Sequence, residues 1–358
     1  PTATARASAT ASRTPTATLG ATQTARPTES ATTTGTRAPE ASATRTTRPS
    51  STPTPTATET PPPPKAWSLH PGQVARETYH SVDGTDSDHV WIVGTNSKVL
   101  YWDGTSLTTQ KASLADALTL RRVRMYSASR GYVMGDESAL YETRDGGQLW
   151  RRAYVENYAD DWRAMDIAEV PGTAYLGWLL GNLNGNRLRW TGSGTWAPQS
   201  PNDRNNRSHA YSDVAVVGPT LAYAVSDAST GARIYRWDGT SWTPGPSTVA
   251  LYDLDVPSPT QGVAVGRGGA VWRMGADGTW SKADGPRTGG QDLYAATMLA
   301  DDDIWVAGAR GKLYRWNGSA WNDHSIAAMV KNIRAMWMTA AGDDGWAVGE
   351  DGLVLRYR

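Results

Sequence analysis

The chain has 358 residues, no cysteine and no phenylalanine, and its 35 basic and 35 acidic side chains balance. Zero net charge gives no electrostatic ground for a nucleic-acid or anionic-membrane partner, and the lack of cysteine removes disulfides, thiol chemistry and Cys-ligated metals. No apolar run reaches the roughly 18 residues of a membrane helix.

Residues 1–64 hold 21 Thr and 11 Pro, no aromatic residue, and Leu19 as the only large aliphatic. With nothing to bury against its conformational entropy, this segment is predicted to be a disordered stalk or linker, and its Thr/Pro composition also suits an O-glycosylated spacer. It carries a net charge of +3 and the remainder −3. The chain opens at Pro1 without methionine, so a processed or truncated product is expected, with membrane or cell-wall attachment only through sequence upstream. The excess of Arg over Lys and the abundance of Ala, Gly and Thr fit a bacterial gene, and the stalk suggests an extracellular or cell-surface location.

From residue 65 onward one phrase repeats: an apolar run, a short Gly-rich turn, a second run ending in Trp or Tyr, an Asp-Gly or Asn-Gly turn, and an anchoring residue. In chain order the copies occupy 90–104, 131–150, 175–196, 222–242, 262–280, 303–321 and 345–358. Asn-Gly and Asp-Gly mark tight hairpins because their central residues need positive φ. A strand-like run precedes each copy, at 79–82, 123–126, 164–167, 213–217, 251–256, 293–298 and 333–338. Four strands in about forty residues is the period of a propeller blade, whose sheet buries its faces only against its neighbours.

The anchors Leu107, Trp150, Trp196, Trp242, Trp280 and Trp321 follow one another at 38 to 46 residues, and the seventh unit stops at Arg358 before its own. Trp67, forty residues ahead of Leu107, supplies the missing piece. The fold predicted is therefore all-β: a monomeric seven-bladed β-propeller over 65–358, its last blade closed by the strand at Trp67. The longer links between blades, 111–120, 151–161, 200–209 and 322–332, are expected on one face, the binding face.

Thr143-Arg144-Asp145-Gly146-Gly147-Gln148-Leu149-Trp150 fits the Asp-box pattern. The acid accepts backbone N–H groups inside the turn, Gly147 takes positive φ, and Trp150 wedges beneath the neighbouring strand. Here the chain resembles the sialidase-type BNR repeat propellers. Seven units, the Trp-Ala-Val-Gly phrase and abbreviated boxes at Asp103, Asp238, Asp277 and Asn317 make it more similar to bacterial photosystem II assembly factor-like and YVTN/BNR-like propellers. That resemblance implies the fold, a structural role for the box, and an arginine-bearing surface for a protein partner.

First strands line a propeller's channel, which makes Arg121, Arg122, Arg124, Arg163 and Arg334 candidates for a charged channel mouth opposite Asp213, Asp253 and Asp255. No catalytic set is assigned. The Asp-rich stretches 83–88, 301–303 and 343–344 read as turns, the histidines 70, 80, 89, 209 and 324 lack zinc spacing, and no cofactor or metal is expected. Three functions follow: a non-catalytic extracytoplasmic scaffold gripping an unidentified protein or glycan; a glycoside hydrolase using Asp213, Asp253 and Asp255; and an assembly factor for a membrane complex.

Overall fold

The computed structural model describes residues 64–71, 76–110, 114–115, 117–153, 155, 160–169, 175–182, 184–190, 195–198, 210–228 and 231–358. The expectations for 1–63 and for the whole link at 200–209, His209 included, lie outside them. The described chain forms seven four-stranded antiparallel sheets. Six are built from four consecutive strands, as in β2 (Tyr79–Asp86), β3 (His89–Gly94), β4 (Val99–Trp102) and β5 (Leu107–Thr109). The seventh is completed across the seam: β1 (Trp67–Leu69) pairs with β28 (Val354–Tyr357), setting Trp67 opposite Tyr357 and Leu69 opposite Leu355. The predicted seven-bladed propeller and its N-terminal closing strand are both present.

Each sheet presents apolar side chains to the next, so the core is divided among the gaps between blades. Among the described residues every pair of adjacent blades encloses its own buried cluster. The closing gap holds Trp102 against Trp346 at 5.3 Å, with the Arg356 guanidinium 4.5 Å from the Trp102 ring centre and bonded to Asp344 at 2.6 Å. Tryptophans carry much of the volume in these gaps; Trp91, Trp150, Trp162, Trp237, Trp305 and Trp346 are among the largest fully buried side chains.

The glycine that ends the second strand of most blades has a packing reason. A Cβ on Gly308 would lie 2.1 Å from the Asp292 carbonyl oxygen, and one on Gly349 would lie 1.9 Å from that of Asn332. At this close approach the first strand carries a β-bulge in every blade, the register slipping between Tyr79 and Ser81 in the first and between Ile333 and Ala335 in the last. A bulge adds one residue to one strand and re-aims its side chain.

One sequence expectation fails locally. Asp83 is not in a turn but inside β2, and it is buried; the reversal comes later, at Ser87–Asp88.

Candidate functional site at the channel mouth

The seven bulge residues converge. They are His80 on β2, Arg121 on β6 (Leu120–Met125), Arg163 on β10 (Trp162–Ala168), Ser212 on β14 (Tyr211–Gly218), Tyr252 on β18 (Leu251–Ser258), Tyr294 on β22 (Leu293–Ala300) and Arg334 on β26 (Ile333–Met338). All seven line a cavity of about 500 Å³ at one end of the channel. The mouth is therefore built from a single repeated backbone irregularity, with the residue type at each station left to vary.

Its first three stations are cationic or imidazole. Arg121 makes two hydrogen bonds to Asp136, at 3.0 and 2.7 Å, while Arg163 shares the same carboxylate at 3.3 Å. Burial opposes the Asp136 charge, but the two guanidinium groups outweigh it and hold its carboxyl below the usual range. Two cations thus share one ion-paired acid, with Asp161 and Asp227 acting on Arg163 only at longer range, and among the described residues Arg163 Nε is buried without a hydrogen-bond partner. Burial, then the Arg121 charge, weakens the hold of Arg163 on its proton. His80 sits 3.4 Å from Arg121 and is pushed down to about 4 by burial and the surrounding arginines, so it is neutral at physiological pH. On the other side of His80, Arg334 bonds Glu350 through Nε at 3.1 Å and through a second, shorter contact, and it covers the Tyr294 ring at 4.6 Å.

Deeper in the channel the charges have another arrangement. Arg122 pairs with Asp213 and lies 3.8 Å from Asp253; Arg124 forms an ion pair with Asp166 at 2.7 Å and donates to Asp83 at 3.4 Å. The aspartates also join neighbouring blades. Asp83 accepts the Met125 N–H (2.7 Å), Asp166 that of Val216 (2.7 Å), Asp213 that of Leu254 (3.1 Å), Asp253 that of Ala296 (2.8 Å) and Asp255 that of Met298 (2.8 Å). Each acid on an inner strand thereby satisfies a backbone donor on the next blade.

The geometry brings Arg122 to Asp213 and Asp253, leaves Asp255 at a separate level nearer Arg124, and puts Arg121, Arg163 and Arg334 at the mouth. Asp213 and Asp253 stand closer together than a glycosidase's carboxyl pair. Burial, then the Asp213 charge and a hydrogen bond that the Asp253 carboxyl donates to Asp213, raise Asp253 well above the carboxylate range, and carboxyls in mutual contact leave no gap of about 5 Å or more for a glycosidic carbon or a water. Burial likewise pushes Asp255 up to about 6.

The box at 143–150 forms a tight local network on the blade edge. Thr143 donates to Asp145 at 3.0 Å, Gly147 N–H donates to Thr143 Oγ1 at 2.8 Å and Leu149 N–H to Asp145 at 2.9 Å. The Trp91 indole of the preceding blade donates to the Gly146 carbonyl at 3.2 Å, and Trp150 is buried in the gap between these two blades.

Sequence reasoning missed His80, Ser212, Tyr252 and Tyr294. Each directly follows the large buried residue that opens its strand (Tyr79, Tyr211, Leu251, Leu293), at the station held elsewhere by Arg121, Arg163 and Arg334; aligning the seven units on that residue picks them out.

No family model matches the chain. Relatives include the photosystem II assembly lipoprotein Ycf48 of Synechococcus sp. strain CC9902, 23% identical over 307 residues, covering 77% of this chain and 84% of the relative. The photosystem II assembly protein Ycf48 of Synechococcus sp. strain JA-3-3Ab is 25% identical over 321 residues, covering 73% and 89%. Among solved structures, one described as YCF48 bound to D1 peptide superposes with a TM-score of 0.64 at 19% identity, over 83% of this chain and 96% of that one. The WD40 propeller of Doa1 reaches 0.62 at 13% identity, so structural likeness speaks for the fold alone. The relatives' names overturn the expectation of an extracellular or cell-surface protein, since they are named for photosystem II assembly and one is a lipoprotein. In sequence and in architecture the chain is similar to the photosystem II assembly factor-like seven-bladed propellers.

Proposed function

We propose that the protein is a non-catalytic binding propeller that serves the assembly of a membrane complex by holding a polypeptide segment of a partner at the arginine-bearing mouth. The relatives' names support the assembly role over glycan binding, and a structural neighbour is described with a bound peptide. The observation that carries the reading is the shared acid: Arg121 and Arg163 divide Asp136, and Asp161 and Asp227 reach Arg163 only at longer range, leaving guanidinium hydrogen-bonding capacity for a carboxylate arriving from outside. Charge-assisted, often bidentate bonds to carboxylates are what arginine supplies at such a site. Among the described residues the channel acids Asp213, Asp253 and Asp255 serve as ties between blades, which favours a structural over a hydrolytic role for them.

The test is a photo-crosslinking residue placed at Ser212 in the full chain, in its own host, with one at the outer-edge Thr243 as control. Capture at position 212 alone of a subunit of a membrane complex, weakened by Arg163→Gln, is the expected result. Equal capture at both positions, or none at 212, overturns the proposal.

A further inference from the structure

The mouth is divided in kind as well as in charge. Opposite the guanidinium pair, the stations of the fifth and sixth blades carry Tyr252 and Tyr294, whose rings lie 5.3 Å apart at 46°. Both are held in place. The Tyr252 hydroxyl donates to Asp292 at 3.3 Å, and Asp292 is itself fixed by the Gly268 N–H at 2.8 Å. Tyr294 is clamped between Tyr252 and the Arg334 guanidinium, which Glu350 anchors while Asn332 steadies Glu350 at 3.0 Å. Neither ring is sealed in the core; each keeps part of its surface on the cavity, beside Met336 and Ala335. Packing a flat apolar group against rings already oriented avoids the ordering cost that a loose side chain would incur.

We propose that Tyr252 and Tyr294 form a seat for a planar apolar side chain, aromatic or proline, carried by the segment that the arginines hold. The inference rests on the binding function given above and adds a second specificity element to it. The segment recognised is then one that pairs an acidic group with a ring several residues away, because the guanidinium pair and the tyrosine pair stand on different arcs of one mouth. Tyr252 and Tyr294 touch the ligand; Arg334 positions Tyr294.

The experiment uses the full chain and fluorescein-labelled Gly/Ser decapeptides ending in Asp-Asp, with Trp or Ala three, four or five residues ahead of the acids, followed by anisotropy. At one spacing or more, Trp is expected to tighten binding about three- to tenfold over Ala, the range of a good aromatic contact. Tyr294→Ala and Tyr252→Ala bring the Trp-to-Ala affinity ratio to about one, whatever they do to the Ala peptide itself, and Tyr294→Phe keeps the ratio, which separates ring contact from misfolding. Acidic peptides that bind with no Trp gain at any spacing, or with a gain that survives both alanine variants, overturn the seat alone. Failure of every acidic peptide to bind overturns the binding function and the seat with it.

Discussion

Trp67 stands in register with Tyr357, and the two rings are 5.5 Å apart, with Trp305 of the neighbouring blade edge-on to Trp67 at 5.8 Å. The closing strand is only three residues long, so this one side chain provides most of what it buries. Trp67→Ala is expected to cost about 3 to 5 kcal/mol, as for other buried tryptophans. A urea denaturation midpoint unmoved by the substitution would show that the seam does not depend on it.

Asp83 joins the first blade to the second through the Met125 N–H while facing Arg124. Asp83→Ala leaves a buried donor unsatisfied and removes one of the acids facing Arg124, at about 2 to 5 kcal/mol. Asp83→Asn keeps an acceptor for the amide and should recover part of the loss. Chemical denaturation of the two variants side by side tests this; equal losses would deny the Met125 bond a role.

Asp255 holds its proton up to about pH 6 in the folded chain, against about 3.9 for a free aspartate. Between those values the folded state binds more protons than the unfolded state, so this residue's contribution to stability falls as pH rises through the window. Asp255→Asn is expected to match the native chain near pH 4 and to melt at higher temperature at pH 8. A difference that does not change with pH would contradict the burial argument.

His80 is shifted in the opposite sense. Its folded value of about 4 lies below the free imidazole value, so its contribution is complete above about pH 6.5 and is lost as pH falls toward 4. NMR titration of the His80 ring should show no protonation down to about pH 5. A midpoint near 6.5 would mean that the mouth is better hydrated than its arginine lining and burial imply.

Gly147 adopts φ 86°, and a Cβ there would come within 2.8 Å of Trp91 Nε1 and 2.7 Å of Gln110 Oε1. Gly147→Ala should therefore destabilise by about 1 to 3 kcal/mol through strain and displacement of the Trp91 contact. Gly231→Ala is the control: φ is also positive, at 75°, but the added carbon meets nothing within 4 Å. Equal melting temperatures for the two variants would remove the interblade contact from the explanation.

Blade number and closure were legible because they depend on local signals, Asn-Gly and Asp-Gly turns and a tryptophan recurring at a fixed period. The mouth was legible only in part. Simple alternation puts Arg121 and Arg122 on opposite faces of a strand, yet the bulge between Leu120 and Arg122 directs both toward the channel, at different depths. The same slip hid Tyr252 and Tyr294, which resemble core aromatics in sequence. Asp213, Asp253 and Asp255 attracted notice as a carboxylate group, but their partners are backbone amides about forty residues downstream, and no spacing rule within one blade reports a bond made to the next.

The pairing of Ser68 with Arg356 spans 288 positions, nearly the full length of the propeller. A ribosome therefore delivers the two halves of the clasp far apart in time. Six sheets can be complete before Val354–Tyr357 is made, while the seventh must wait for that strand. Until it arrives, the strand at Trp67 has no partner and the gap holding Trp67, Trp305 and Tyr357 stays open, so closure of the ring is the last step available to the folding propeller.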